Sequence, residues 1–199
     1  MQGLMMDMPL LITSILQHAA RHHGDTEVIS RRIEGDIHRY TYADCEHRSR
    51  QLADALTRAG VHAGDRVATL AWNGYRHMEV YYAVGGMGSV VHTINPRLHP
   101  DQIAWIINHA GDSFLAFDIT FLPIIEAIAS RCPTVKGWIA MIDADKQPVT
   151  DKVPNLLNYE TLLATGSDTF RWPDLDERSA VALCYTSGTT GNPKGALYS

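Results

Sequence analysis

The stretch Ala180-Val181-Ala182-Leu183-Cys184-Tyr185-Thr186-Ser187-Gly188-Thr189-Thr190-Gly191-Asn192-Pro193-Lys194-Gly195 sets an apolar run directly against a bend rich in hydroxyls and glycines. The apolar run reads as a buried strand, and the bend has the composition of a polyphosphate cradle. Phosphate oxygens only accept hydrogen bonds, so a loop that holds them must supply donors. Here these are the hydroxyls of Thr186, Ser187, Thr189 and Thr190, backbone N–H groups, and the Lys194 ammonium as a point charge. Gly188, Gly191 and Gly195 lack a Cβ, which lets the backbone approach a ligand and line up successive N–H groups. Pro193 fixes φ just before the lysine. A hydroxyl such as that of Thr186 also suits Mg²⁺, a hard cation that favours oxygen ligands.

Two commoner phosphate motifs are excluded. A Walker loop needs G-x-x-x-x-G-K-[ST], whereas Pro193 precedes this lysine and Gly195 follows it. The dinucleotide fingerprint G-x-G-x-x-G fails at Gly86-Met87-Gly88-Ser89-Val90-Val91, where valine stands in place of the third glycine. An unliganded Ser/Thr/Gly-rich surface loop is the plain alternative. The whole pattern, set directly after a buried strand, favours phosphate.

Upstream, strand and helix patterns alternate. Ile12, Ile15, Leu16, Ala19 and Ala20 recur at helical spacing up to Gly24-Asp25. Val28-Ile29 and Ile37 to Tyr40 read as a hairpin around Glu34-Gly35-Asp36. Thr41 with Asp44 forms a capping-box pattern that opens a helix ending at Gly60. There follow strand Val67 to Trp72, helix Tyr75 to Gly85, strand Ser89 to Ile94, helix Pro100 to Ala110, strand Phe114 to Phe117, helix Phe121 to Arg131 and strand Trp138 to Ile142. Asp143 to Asn158 reads as an excursion from the core, Tyr159 to Ala164 as one short helix, and Ala196-Leu197-Tyr198 as the opening of a further strand. The expected fold is α/β, a mostly parallel sheet with helices on both faces.

The chain has 199 residues, 45% of them hydrophobic, and a net charge of -5 spread along its length. That is enough to bury a substantial core, and it argues against nucleic acid or an anionic membrane as partner. Cys45, Cys132 and Cys184 are odd in number and widely spaced, so they read as free thiols in a reducing compartment. No apolar stretch is long enough to span a bilayer, and Asp7 and Pro9 interrupt any signal-peptide pattern. A cytoplasmic location is expected. His22-His23, and Glu79 near His77, lack zinc spacing. His92 to Leu98 reads as a strand ending in an X-Pro turn, although it could line an acyl or dimer surface. Trp72 and Trp105 read as core, and Tyr81-Tyr82 as packing. Ser187 has no G-x-S-x-G context and is not a nucleophile.

The segment Tyr185 to Gly195 resembles the signature phosphate loop of the adenylate-forming superfamily: acyl-CoA synthetases, peptide-synthetase adenylation domains and luciferases. Four upstream pieces resemble the medium- to long-chain fatty acyl-CoA synthetase branch and the methylmercaptopropionate-CoA ligases. They are Gly64-Asp65-Arg66-Val67-Ala68-Thr69-Leu70, Arg76-His77-Met78-Glu79-Val80-Tyr81-Tyr82-Ala83-Val84, His92-Thr93-Ile94-Asn95-Pro96-Arg97-Leu98 and Ile107-Asn108-His109-Ala110. The resemblance implies that residues 1–199 are the N-terminal portion of an adenylation large domain, with the C-terminal domain absent. It implies ATP, Mg²⁺ and coenzyme A as ligands and a small carboxylic acid as substrate. The ligand-holding residues would be Thr186, Ser187, Gly188, Thr189, Thr190, Gly191, Asn192, Pro193 and Lys194, with Thr186 also touching Mg²⁺. Lys194 would be an auxiliary charge. The catalytic lysine, like the adenine, ribose and acyl-pocket residues, would lie beyond Ser199, so the chain by itself is expected to be inactive. A homodimer is possible, as among relatives. The other readings are a non-catalytic nucleotide-binding or interaction fragment, and a different adenylate-forming enzyme.

Overall fold

The computed structural model describes residues 3–5, 7–186 and 192–199. Helix α1 (Ile12–His22) leads into an antiparallel hairpin of β1 (Glu27–Arg31) and β2 (Ile37–Thr41). Helix α2 (Tyr42–Arg58) opens on the expected capping box: Thr41 Oγ1 accepts from the Asp44 N–H, and the Asp44 carboxylate accepts from the Thr41 N–H. Strands and helices then alternate as β3 (Arg66–Leu70), α3 (Tyr75–Gly86), β4 (Val90–Thr93), α4 (Pro100–Ala110), β5 (Phe114–Phe117), α5 (Leu122–Ile128), β6 (Gly137–Ala140), β7 (Leu156–Asn158), α6 (Tyr159–Leu163), β8 (Ala182–Thr186) and β9 (Lys194–Tyr198).

Seven strands form one sheet in the order β7-β6-β5-β3-β4-β8-β9, parallel throughout except for the antiparallel pair β8–β9. One face carries α4 and α5 over a core of Leu115, Phe117, Ile103, Ile107, Ile125 and Trp138. The other carries α2, α3 and α6 over Val67, Val91, Leu52, Leu56, Val84 and Tyr159. Burial on both sides is why strands such as Phe114 to Phe117 are apolar at every position rather than at alternate ones.

The α/β expectation holds, with local corrections. The segment expected to be one helix from Phe121 to Arg131 is α5 flanked by two 3₁₀ turns, Ile119–Phe121 and Ala129–Arg131. The excursion from Asp143 to Asn158 returns to the sheet as β7, too short to show a period in sequence. The glycines of the failed dinucleotide pattern serve packing. A Cβ on Gly86 would lie 2.6 Å from Trp172 Cζ3, and Gly88 turns the chain at φ 86°. Among the described residues, no helix is long and apolar enough to cross a membrane.

Candidate functional site

In open parallel sheets, ligands collect at the carboxyl ends of the strands, where neighbouring strands send their connections in opposite directions. Here that point lies between β3, which runs on to β4, and β5, which runs on to β6. The chain fills it with its own side chains. Asp118 Oδ2 accepts from the Trp72 N–H at 2.6 Å, Trp72 Nε1 donates to Thr120 Oγ1 at 3.1 Å, and residues 30–34, from the end of β1 into the turn toward β2, border the space of about 30 Å³ that remains beside Trp72 and Asp118. Trp72 is therefore half-exposed at the rim of this plug and not in the core as its sequence suggested.

Behind the plug lies an ionic network with no counterpart among the motifs of the sequence. The Arg76 guanidinium, 5% exposed, donates to Glu160 Oε1 at 2.8 Å, Glu34 Oε1 at 2.7 Å and Asp143 Oδ1 at 2.6 Å. Arg48 bridges Glu79 Oε1 at 2.8 Å and Glu160 Oε2 at 3.0 Å, and the Tyr159 hydroxyl donates to Glu79 Oε2 at 2.7 Å. Burial pushes the Glu79 carboxyl up against the opposing pull of Arg48 and Tyr159. It also raises Asp143, but Lys146, Arg32 and Arg76 outweigh it and hold that carboxyl at about 2. The network ties the hairpin, α2, α3 and α6 together. Its members are far apart in sequence, which is why no local motif announces them. His77 is likewise satisfied, with Nε2 at 3.0 Å from Thr69 Oγ1 and Nδ1 at 3.1 Å from the Trp72 carbonyl, and burial lowers its pKa.

With the switch point closed, the open space shifts to β4 and β8. A cleft of about 860 Å³ opens at the carboxyl ends of β3, β4 and β8, with Val28, Ile29, Met78, Tyr81, Ile94 and Cys184 among its lining. Thr93, Ile94 and Asn95 of the X-Pro segment also border it, as do Tyr81 and Tyr82.

Tyr185 stands at the cleft's edge, where the chain enters the bend. Four of the nine ligand candidates, Thr186, Asn192, Pro193 and Lys194, are described; Ser187, Gly188, Thr189, Thr190 and Gly191 lie outside the described residues. Thr186 pairs with Lys194 across β8 and β9, and the Thr186 hydroxyl donates to the Lys194 carbonyl at 3.5 Å. Both side chains are exposed, so the bend closes at the carboxyl end of β8 with a hydroxyl and an ammonium available at its two roots. Gly195 has a packing role that its sequence does not announce. It lies in extended β9 opposite Tyr185, and a Cβ there would come within 3.1 Å of Tyr185 Cζ and Leu183 Cδ1. Its missing side chain makes room for the tyrosine ring.

The Thr186 hydroxyl is a donor type that fits Mg²⁺ bound to phosphate. Among the described residues, no group of three or more His, Cys, Asp or Glu side chains is placed to hold a metal ion alone. Cys45, Cys132 and Cys184 are free thiols.

A family model described as "AMP-binding enzyme" matches residues 16–199. The chain is 50% identical over 199 residues to a 3-methylmercaptopropionyl-CoA ligase of Ruegeria pomeroyi, covering all of this chain and 37% of that protein. It is 50% identical over the same length to a medium-chain-fatty-acid–CoA ligase of Ectopseudomonas oleovorans, covering 36% of it. The chain thus spans little more than a third of these relatives' length. Among solved structures, the inhibitor-bound N-terminal domain of FACL13 from Mycobacterium tuberculosis superposes with a TM-score of 0.79 at 27% identity, over 96% of this chain and 44% of that one. The anthranilate-CoA ligase AuaEII in complex with anthranoyl-AMP shares the fold, with a TM-score of 0.84 at 20% identity over 99% of this chain and 36% of that one.

Proposed function

Because the chain belongs to the AMP-binding enzyme family, we propose that it is the N-terminal portion of the large adenylation domain of a carboxylic acid–CoA ligase, of the fatty-acid or methylmercaptopropionate kind. The observation that carries this reading is the bend rooted on Thr186 and Lys194 at the carboxyl end of β8, beside an apolar cleft. Thr186 to Lys194 would hold the β- and γ-phosphates of ATP, with Mg²⁺ at the Thr186 hydroxyl supplying further positive charge. The cleft's apolar lining supports an acid with a hydrocarbon portion.

A carboxylate is a poor acyl donor. In this reading its oxygen attacks the α-phosphorus of ATP, the bond to the β-phosphate oxygen breaks, and acyl-adenylate and pyrophosphate form. The thiol of coenzyme A then attacks the acyl carbon, loses its proton and displaces AMP. Negative charge grows on the departing pyrophosphate in the first step only, so donors gathered at the bend favour that transition state over the ground state. The catalytic lysine and the adenine and ribose contacts would come from other parts of a ligase of the relatives' length. Free thiols support a cytoplasmic location, and the exposed apolar side chains Leu4, Met5, Met8 and Leu10 support self-association.

The test is ATP–pyrophosphate exchange, measured without coenzyme A, by a protein of the relatives' length carrying this chain. Exchange that depends on a medium-chain fatty acid or 3-methylmercaptopropionate supports the reading. Exchange driven only by amino acids, or by no acid at all, contradicts it.

A further inference from the structure

Tyr185 is gripped from three directions. Its cross-strand neighbour Gly195 leaves a seat for the ring, as described above. On one flank, the His92 ring lies 5.2 Å from the Tyr185 ring and is itself fixed by Asp112, whose carboxylate oxygens lie 2.9 and 2.8 Å from His92 Nδ1. On the other, His109 Nδ1 lies 2.6 Å from the Tyr185 hydroxyl, a hydrogen bond whichever group carries the shared proton. His109 is in turn stacked on Trp105, with ring centroids 4.6 Å apart and planes 17° apart.

The platform under His109 is held independently of Tyr185. Gly111 ends α4 in the left-handed conformation at φ 65°, Arg66 Nε donates to the Ala110 carbonyl at 2.8 Å and Arg66 Nη2 to that of Gly111 at 3.0 Å. Asn108 Nδ2 donates to the Arg131 carbonyl at 2.9 Å. The contact between His109 and Tyr185 is exposed, so it adds little to the core. What it does is set the hydroxyl end of the residue that immediately precedes Thr186.

We propose that His109 is a positioning residue: through the Tyr185 hydroxyl it fixes the direction in which β8 delivers Thr186 to the phosphates of ATP. The inference rests on the reading of that bend given above. It assigns to His109, which sits on a helix remote in sequence, a part in nucleotide binding and none in acid or thiol recognition.

The test uses the ligase of the relatives' length with His109→Ala, Tyr185→Phe, both together, and His109→Asn, whose amide returns a hydrogen-bonding atom near the position of Nδ1. Each of His109→Ala and Tyr185→Phe should raise KM for ATP and slow adenylation about fivefold, the size of one neutral hydrogen bond. KM for coenzyme A and the melting temperature should stay unchanged. The double variant should be no worse than either single one, and His109→Asn should recover most of the loss. Wild-type KM for ATP in His109→Ala overturns the proposal, as does an additive double variant, or equal loss in both half-reactions with a lowered melting temperature. A Lys194→Ala control separates this from the reading beneath it. If Lys194→Ala slows adenylation about tenfold or more while His109→Ala does nothing, the positioning role alone fails. If Lys194→Ala leaves adenylation intact, both fail.

Discussion

Thr186 and Lys194 face one another as the terminal pair of β8 and β9, so the two ends of residues 187–193 are closed by a ladder position and not by a free loop. In the proposed reading, a cradle anchored this way would deliver its donors from a fixed base, which is what stabilising charge in a transition state requires. Substituting Thr189 or Lys194 with alanine in a ligase of the relatives' length should slow adenylation by about tenfold to a hundredfold. Thiol transfer from a supplied acyl-adenylate should change much less. Single-turnover assays of each half-reaction check this, and equal losses would contradict the assigned role.

Arg76, itself 5% exposed, satisfies three carboxylates from three separate segments, and its removal would take their shared partner from Glu34, Asp143 and Glu160, leaving, among the described residues, only the cations Arg32, Lys146 and Arg48 beside them. Arg76→Ala is expected to cost about 3–5 kcal/mol, the range for breaking a buried ionic cluster by removing one partner. Arg76→Lys should recover only part, because a point ammonium cannot span three acceptors. Urea denaturation measures both, and a loss below about 1 kcal/mol for the alanine variant would be inconsistent with the network's role.

Burial lifts the Asp118 carboxyl from its ordinary 3.8 to about 6, against the hydrogen bond from the Trp72 N–H. An acid whose folded pKa exceeds its unfolded value binds protons more tightly in the folded state. Its contribution to stability is therefore full below the unfolded pKa and is lost as pH rises to about 6. Asp118→Asn keeps an acceptor for Trp72 and removes the titration. Between pH ~3.5 and ~7, its stability relative to wild type should rise by on the order of 2–3 kcal/mol. Parallel stability curves for the two proteins would refute the assignment.

Alanine normally stabilises a helix relative to glycine, by about 1 kcal/mol. At Gly86 the sign should reverse, because the added Cβ would meet Trp172 Cζ3 at 2.6 Å and Thr13 Cγ2 at 2.7 Å. Gly86→Ala is expected to destabilise by about 1–3 kcal/mol, read as a lowered melting temperature. A raised melting temperature would show that α1 and Trp172 pack there more loosely than the structure has them.

These cases show what the sequence makes legible. Alternating apolar runs and the Thr41–Asp44 cap announce the α/β layering, since strand burial and capping are written in consecutive residues. The bend's proposed chemistry is likewise packed into one short segment, of which the structure describes the roots Thr186 and Lys194. The plug at Asp118 and Trp72, the fork of Arg76 and the clasp of His109 on Tyr185 join residues 46, 84 and 76 positions apart, and no local pattern encodes such pairings. The only trace in the sequence was indirect: Arg76 and His109 fall in segments that resemble one branch of the family. The seat that Gly195 leaves for Tyr185 is hidden for a related reason, since the pairing across the ladder is not written in consecutive residues.

The most direct measurement is the structure of a relatives'-length ligase carrying this chain, bound to Mg-ATP and an unreactive acid analogue. The account predicts the β- and γ-phosphates within hydrogen-bonding distance of residues between Thr186 and Lys194, with the acid's carboxylate poised at the α-phosphorus. A triphosphate lying elsewhere on the molecule, away from the β8–β9 bend, would contradict it.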